Sequence, residues 1–311
     1  MSHAQDAFLA RRFGVFNHFL SYRPGSEVRA DIAEFVTDWN WCVDHFDVEA
    51  VAKRLHDIGA GYYCITLMQG FKYMIAPNET FDRIAGTKPG EACARRDLIM
   101  ELSDALKKYD IDLYLYYTGD GPHLDPVLGP TFGFQQVFGR HVTRDFVEKW
   151  ASVLREYSLR YGDRVKGWWI DGCYGDGFGY SEELLGILYD ACKAGNPDCL
   201  VSFNDGVKPE YCKHYSGEEF TAGEFNDFET LPPQRFIDSA QAHILAPLGN
   251  DPENISHWRR KGSRYTKEHM LDFVRKANAV GCVVTIDIWV ELDSSWDDEQ
   301  TAILKYIGDN L

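Results

Sequence analysis

The sequence predicts one α/β domain that closes as a (β/α)₈ barrel of the TIM type, somewhat irregular in its second half. Short apolar runs alternate with longer amphipathic segments along the whole chain, and eight such runs are present. Most of them are apolar at nearly every position, which is typical of strands in a parallel sheet covered by helices. No linker, low-complexity segment or internal repeat divides the chain, so we expect residues 1–311 to form a single barrel domain.

The eight predicted strands are bounded by turn residues or by the ends of helices. In chain order they are Phe13–Leu20, Gly61–Met68, Ile111–Thr118, Val165–Asp171, Leu200–Asn204, Phe220–Phe225, Ala242–Leu248 and Cys282–Val290. The sixth is the weakest, because the helices between positions 207 and 241 are short or irregular. An open doubly wound sheet is the alternative, but it usually shows a Gly-rich first turn, which residues 12–16 lack.

The predicted helices lie between these strands. In the first, apolar residues recur every three or four positions, Asp47 is an N-cap candidate and Gly59 a stop signal. Ser181 is a similar cap, followed by two glutamates that suit the positive end of the helix dipole. The predicted helices are Val48–Ile58, Asp97–Tyr109, Thr143–Tyr161, Ser181–Lys193, Thr266–Val280 and Asp297–Ile307.

Composition excludes several classes of partner. The net charge of -16 repels phosphate backbones, so we expect no nucleic-acid partner. No run of about 18 apolar residues predicts a membrane span, and the first residues lack the pattern of a signal peptide. The eight cysteines show no Cys-x-x-Cys spacing, so we expect reduced thiols and a cytoplasmic location.

Asp171 is the most informative polar residue. Chemistry in such barrels lies at the carboxyl ends of the strands, and Asp171 directly follows the apolar run Trp168-Trp169-Ile170. A helix cap or a salt bridge is the structural alternative. The next helix begins about ten residues later, which argues against a cap. We therefore expect a catalytic role for Asp171.

A second carboxyl group would complete a glycosidase pair, because one carboxyl attacks or activates water and the other protonates the leaving oxygen. Glu224, on the sixth predicted strand, is the first candidate and Glu219 the second. Glu218 is expected to be a solvated surface acid.

His18 at the end of the first strand has two possible roles. Metal-dependent barrel hydrolases typically carry His-x-His there, whereas this chain has Asn17-His18 and no His-x-x-x-His elsewhere. A hydrogen bond to a substrate hydroxyl is the preferred interpretation, and no metal or organic cofactor is expected.

Four segments occur in an order known from one enzyme family. Residues 12–19 read Arg-Phe-Gly-Val-Phe-Asn-His-Phe, a helix ends at Ala-Gly-Tyr (60–62), residues 96–98 read Arg-Asp-Leu and residues 169–172 read Trp-Ile-Asp-Gly. They resemble the α-L-fucosidases of glycoside hydrolase family 29, and the resemblance runs along nearly the whole chain. It implies a barrel, Asp171 as the nucleophile and a sugar contact for His18.

Several sugar-binding positions depart from the family. Its second strand usually ends Thr-x-Lys-His-His-Asp-Gly-Phe, whereas residues 66–71 read Thr-Leu-Met-Gln-Gly-Phe. The family's Asn-x-Arg becomes Asn204-Asp205-Gly206, and its Glu-Trp corresponds to Asp38-Trp39. The substrate-binding residues expected here, by resemblance or by position at a strand end, are His18, Asp38, Trp39, Gln69, Tyr117, Asn204 and Trp289.

The sequence therefore predicts a retaining, exo-acting glycoside hydrolase with an oligosaccharide or glycoside substrate. A related glycosidase that acts on another deoxyhexose or a pentose is the first alternative, because the His pair is lost. A non-catalytic sugar-binding barrel and a metal-dependent barrel enzyme are the others.

Overall fold

A computed structural model describes residues 2–21, 38–253 and 256–311. The strands in this part of the chain are β1 (Phe13–Asn17), β2 (Tyr62–Thr66), β3 (Asp112–Thr118), β4 (Val165–Asp171), β5 (Leu200–Phe203), β6 (Phe236–Ile237), β7 (Ala240–Gln241), β8 (His243–Pro247) and β9 (Val283–Ile288). The helices are α1 (His3–Ala10), α2 (Trp39–Asp44), α3 (Val48–Asp57), α4 (Glu79–Ala85), α5 (Leu98–Lys107), α6 (Leu128–Phe132), α7 (Arg144–Tyr161), α8 (Gly175–Phe178), α9 (Glu182–Lys193), α10 (Lys267–Ala279) and α11 (Asp298–Asn310).

The main sheet has seven strands in the order β5-β4-β3-β2-β1-β9-β8, and every neighbouring pair is parallel. Strands β6 and β7 form a separate antiparallel pair. The larger hydrophobic core lies between the sheet and its helices, and a smaller cluster that includes Phe16, Tyr114 and Trp169 forms a second core. The curled parallel sheet with helices around it is a TIM-like architecture.

The predicted sixth strand is only partly formed. Residues 219–225 lie between β5 and β8: Glu219 N–H donates to the Val201 carbonyl at 3.1 Å, and Leu245 N–H donates to the Gly223 carbonyl at 2.9 Å. Only single bridges form, at Phe220 and Glu224. The main sheet of the described residues thus has seven regular strands, with an irregular segment in the gap between β5 and β8.

All six predicted helices are present, and the caps predicted at Asp47 and Ser181 are formed. The side chains of Asp47, Thr143, Ser181 and Thr266 accept hydrogen bonds from the first turns of α3, α7, α9 and α10. These bonds satisfy backbone donors that a helix leaves unpaired at its start. Helix boundaries therefore follow from local sequence here.

Helix α1 was not predicted, and it packs its Phe8 ring into the smaller core. The ring lies 5.2 Å from that of Tyr62, 5.0 Å from Tyr114 and 5.3 Å from Phe220, all between centroids. Ser2 and Gln5 form a capping box that starts this helix. Phe8 contacts residues of β2, β3 and the irregular segment, so α1 joins the two sides of the sheet.

The sequence predicts no membrane-spanning segment and reduced cysteine thiols. Among the described residues no helix is both long and apolar enough to cross a membrane. All eight cysteines are free thiols, and only Cys212 is exposed.

Candidate active site

A cavity of about 200 Å³ opens at the carboxyl ends of the strands. Its floor is aromatic: the Tyr116 ring stacks against Trp169 at 5.4 Å and against Phe16 at 5.5 Å. The described residues that line it are Phe16, His18, Gln69, Tyr116, Trp169, Asp171, Tyr174, Glu224, Leu245, Ser256, Trp258 and Arg259. Apolar ring faces with a few polar groups above them are typical of small-molecule sites.

Asp171 ends β4 and directs both carboxylate oxygens at hydrogen-bond donors. Tyr116 Oη donates to Oδ2 at 2.6 Å, and Asn204 Nδ2 donates to Oδ1 at 2.8 Å. Tyr116 lies on β3 and Asn204 directly follows β5, the two strands on either side of β4, and the parallel register brings the ends of these strands to one rim. The side chain is therefore held from both sides.

Glu224 lies beside this group because of the same amide. Asn204 Nδ2 also donates to Glu224 Oε2 at 2.6 Å. The nearest oxygens of Asp171 and Glu224 are therefore no farther apart than these two bonds laid end to end, about 5.4 Å. A second contact fixes the segment, since the Trp169 indole donates to the Ala222 carbonyl at 3.0 Å.

The environment raises the pKa of both carboxyl groups. Burial and the negative charge of Asp171 raise the pKa of Glu224 to about 7, against one hydrogen bond from Asn204 that lowers it. Burial also raises the pKa of Asp171, but hydrogen bonds from Tyr116 and Asn204 oppose this rise. Two nearby carboxylates resist simultaneous ionisation, so the pair titrates as a unit.

His18 lies on the opposite side of the cavity and is held by Asp287. Its Nδ1 is 2.7 Å from Asp287 Oδ1, and Arg259 N–H donates to Asp287 Oδ2 at 3.4 Å. This contact fixes the ring orientation and directs Nε2 away from Asp287. The Trp258 ring packs edge-on against His18 at 5.6 Å.

The predicted residues separate into two groups. Asp171, Glu224, His18 and Gln69 line the cavity, and Asn204 reaches it through the two carboxylates. Four other expected contacts lie elsewhere: Asp38, Trp39, Tyr117 and Trp289.

Tyr117 is on the outer face of β3, because neighbouring residues of a strand point to opposite faces. Its ring stacks on Trp150 at 4.8 Å and its hydroxyl donates to the Trp150 carbonyl at 3.3 Å. The inward residue is Tyr116. A sugar contact predicted for Tyr117 therefore has its structural counterpart one position earlier.

Asp38, Trp39 and Trp289 have structural partners instead. Asp38 caps α2, and the Trp39 indole donates to the Met74 carbonyl at 3.0 Å inside the core. The backbone N–H of Trp289 donates to Gln300 Oε1 at 2.7 Å, and Lys261 Nζ lies 5.3 Å from the centroid of the Trp289 ring.

Glu219 and Glu218 are held at other positions. Glu219 pairs with Lys193, accepts from Tyr189 Oη at 2.9 Å, and accepts from Val201 N–H at 3.0 Å near the start of β5. Glu218 was expected to be a surface acid, which is wrong: it is 3% exposed and accepts the backbone N–H groups of Phe203, His214 and Tyr215. Glu218 thus satisfies loop donors.

Sequence reasoning missed several cavity residues. Tyr174 follows Asp171 by three positions, and Ser256, Trp258 and Arg259 come from the long connection after β8. Position relative to Asp171 could have suggested Tyr174. Irregular loops carry no periodicity, so the other three left no such signal. The described residues show no group of three or more His, Cys, Asp or Glu that could hold a metal ion.

Solved structures share this fold at low sequence identity. An endo-fucoidan hydrolase of glycoside hydrolase family 107, MfFcnA9, gives a TM-score of 0.71 at 13% identity, covering 99% of this chain and 64% of that one. A family 29 α-L-fucosidase from Bacteroides thetaiotaomicron, trapped as a covalent intermediate, gives 0.69 at 17% identity, covering 99% and 74%. AlfC, an α-L-fucosidase from Lactobacillus casei bound to α-L-fucose, gives 0.66 at 16%, covering 99% and 98%. The chain shares the fold of these glycoside hydrolases.

The sequence itself matches no protein-family model and no curated protein. At these identities the structural likeness shows the fold alone. The chain spans 64% and 53% of the length of two of the fucoidan hydrolases. The predicted resemblance to α-L-fucosidases is confirmed at the level of the fold.

Proposed function

We propose that this protein is a retaining glycoside hydrolase with Asp171 as the nucleophile and Glu224 as the acid/base. The observation that carries the proposal is the shared amide of Asn204, which keeps the nearest carboxyl oxygens within about 5.4 Å. Retaining glycosidases hold their two carboxyl groups about 5–5.5 Å apart, whereas inverting enzymes need about 6.5–9.5 Å for a water molecule.

The two roles follow from the hydrogen bonds. Asp171 accepts one bond from Tyr116 and one from Asn204, so it is the better place for the shared negative charge. Glu224 accepts the bond from Asn204, and its pKa is raised to about 7. A carboxyl group that keeps its proton near neutral pH suits a general acid.

The reaction takes two steps. Asp171 attacks the anomeric carbon while the bond to the leaving oxygen breaks, and Glu224 gives its proton to that oxygen. Glu224, now a carboxylate, takes a proton from water as the water oxygen attacks the same carbon. The ester to Asp171 breaks, and the sugar leaves with its anomeric configuration retained.

The cavity suits one sugar ring. The apolar faces of Tyr116 and Trp169 can stack on the C–H face of a sugar, while His18 Nε2 and Gln69 can bind hydroxyls. The volume of the cavity, about 200 Å³, lies below the range of about 300–1,000 Å³ that is typical of pockets for drug-sized ligands. We infer an exo-acting enzyme built on one catalytic barrel, with the irregular segment 219–225 at the place of the sixth predicted strand.

We propose an α-L-fucoside as the substrate, on the resemblance in sequence and on the fold shared with enzymes that act on fucose-containing glycosides. A different deoxyhexose or a pentose of similar shape is the second candidate, because residues 66–71 lack the family's His pair.

A panel of chromogenic glycosides tests the proposal, with the first-formed anomer followed by proton NMR. We expect cleavage of an α-L-fucoside or of a related glycoside, and retention at the anomeric carbon. An inverted first product would overturn the two-step mechanism. Release of oligosaccharides rather than monosaccharide from a fucoidan chain would contradict exo action. Binding of a monosaccharide without any turnover would identify a non-catalytic sugar-binding barrel.

A further inference from the structure

Asn204 is fixed against β4 by its own backbone. Its N–H donates to the Ile170 carbonyl at 2.7 Å, and its carbonyl accepts from Cys173 N–H at 3.0 Å. Ile170 and Cys173 lie on either side of Asp171 in sequence, and Asn204 is 1% exposed. The side-chain amide is thus held at a constant position relative to Asp171.

The orientation of the amide follows from its partners. An amide nitrogen carries two hydrogens, whereas the amide oxygen only accepts. Ionised Asp171 only accepts, and Glu224, which keeps its proton near neutral pH in the proposed mechanism, accepts on the oxygen that carries no proton. The nitrogen therefore faces both groups and the oxygen does not. Each N–H then has one carboxylate, at 2.8 Å and 2.6 Å. No N–H of Asn204 is left to donate to a sugar hydroxyl.

We propose that Asn204 is a positioning residue that sets the separation and the shared charge of the two carboxyl groups, and that it is not a ligand of the sugar. This inference rests on the proposed catalytic roles of Asp171 and Glu224. It replaces the sugar-binding role expected from the sequence.

Other ionisable groups lie close to the pair. Tyr116 from β3 donates to Asp171, and Asp120 after β3 raises the pKa of Asp171. Cys173 and Tyr174 follow β4, and their own pKa values are raised, by burial for Cys173 and by the charge of Asp171 for Tyr174. His18 and Arg259 also line the cavity.

Steady-state kinetics of Asn204→Ala distinguishes a positioning role of the amide from a sugar-binding role. Loss of both bonds is expected to lower kcat roughly 10- to 100-fold, with KM changed by less than about threefold, because the ground-state sugar contacts remain. The pH profile of kcat/KM should move to higher pH on both limbs, because a hydrogen bond to the charged form lowers a carboxyl pKa and its removal raises it. Gln69→Ala is the matched comparison, since it removes an amide that faces the sugar: KM should rise and the profile should stay in place.

Titration of the carboxyl groups, followed by carbon NMR, tests the hydrogen bonds of Asn204 to Asp171 and Glu224 without any substrate. The titrations of Asp171 and Glu224 should both move to higher pH in Asn204→Ala. Asn204→Asp provides a variant of nearly equal size, in which the ionised side chain donates nothing and the same upward shift is expected. Unchanged titrations, or a raised KM with an unmoved pH profile, would overturn the inference. Shifted titrations in a protein that cleaves no glycoside would support the effect of Asn204 on the two carboxyl groups and would contradict the proposed function.

Discussion

At the scale of single residues, Asp171 and Glu224 show how one cavity can give two carboxyl groups different properties. Within the described part of the chain, Tyr116 and Asn204 both donate to Asp171, whereas Glu224 accepts from the Asn204 amide alone. An additional donor favours the ionised form of the group that receives it. The hydroxyl of Tyr116 therefore lowers the pKa of Asp171, in the direction that the proposed roles require.

Asp171→Asn should abolish turnover while the fold is retained. An amide forms no glycosyl ester and offers no negative charge to an oxocarbenium-like transition state. We expect a loss of about 10³-fold or more in kcat, roughly 4 kcal/mol. Activity assays together with a thermal melt check this. Activity near that of the wild type on any cleaved substrate would rule out Asp171 as the nucleophile.

Glu224→Ala should lose activity mainly on substrates with poor leaving groups. Activated aryl glycosides need no proton on the leaving oxygen, so they should be affected less. Added azide should restore turnover and give a glycosyl azide of retained configuration. Glu219→Ala is the matched control, because Glu219 is paired with Lys193 and bound to the N–H of Val201. If azide rescues Glu219→Ala instead, the acid/base is Glu219.

The pH dependence should have a basic limb that belongs to Glu224. Burial and the charge of Asp171 raise the pKa of Glu224 to about 7, and the acid must be protonated to act. Activity is therefore expected at pH values below this pKa and is lost as pH rises through it. On the acidic side, protonation of Asp171 should reduce activity. A profile of kcat/KM that stays flat up to pH 9 would contradict the role of Glu224.

Sequence patterns were a better guide to which carboxyl groups lie at the cavity than to the direction of neighbouring side chains. Asp171 stood out because a carboxylate directly follows an apolar strand. Tyr116 and Tyr117 are chemically alike, and only the phase of β3 distinguishes the inward residue from the outward one. Glu218 looked like a surface acid because its partners are backbone groups of a distant loop, which sequence patterns do not show.

At the scale of elements, the segment between β5 and β8 explains how Glu224 reaches the cavity. The sequence pattern predicts a strand from Phe220 to Phe225, but only single β-bridges form there. Gly223 has φ +63°, and its neighbour is the carbonyl of His243. The pattern of apolar residues predicts a strand there, but a left-handed glycine interrupts the regular pairing just before Glu224.

Gly223→Ala should therefore damage both stability and activity. An added Cβ would lie 1.9 Å from the His243 carbonyl oxygen, on a backbone with positive φ. We expect a destabilisation of about 2–5 kcal/mol and a loss of activity as Glu224 shifts. Gly86→Ala is the control, because Gly86 has φ +72° but nothing within 4 Å of the new Cβ. That variant should lose only about 1 kcal/mol. Equal melting temperatures for the two variants would show that the segment adapts to the extra atom.

At the scale of the whole molecule, aromatic rings form a smaller core that runs from α1 toward the cavity. Phe8 lies against Tyr62 and Tyr114, while Phe16, Tyr116 and Trp169 stack beneath the two carboxylates. Alternation of strands and helices predicted the parallel sheet, because each apolar strand must be covered by helices. This alternation did not predict α1, because a helix of eight residues has too few turns to show a clear apolar periodicity. The capping box at Ser2 and Gln5 is the signal that could have found it.

Phe8→Ala tests whether α1 is part of the folding unit. The ring is 1% exposed and contacts β2, β3 and the segment next to β8, so its loss leaves a cavity in the smaller core. We expect a destabilisation of about 3–5 kcal/mol, measured from urea midpoints and slopes. Phe138→Ala removes the same atoms from a ring that is 82% exposed, and it should change stability by about 0.5 kcal/mol or less. The aromatic floor under Asp171 belongs to the same cluster as Phe8, so Phe8→Ala should also lose activity at a lower temperature than the wild type. If both variants unfold at the same urea concentration, α1 is an appendage and the sheet is stable without it.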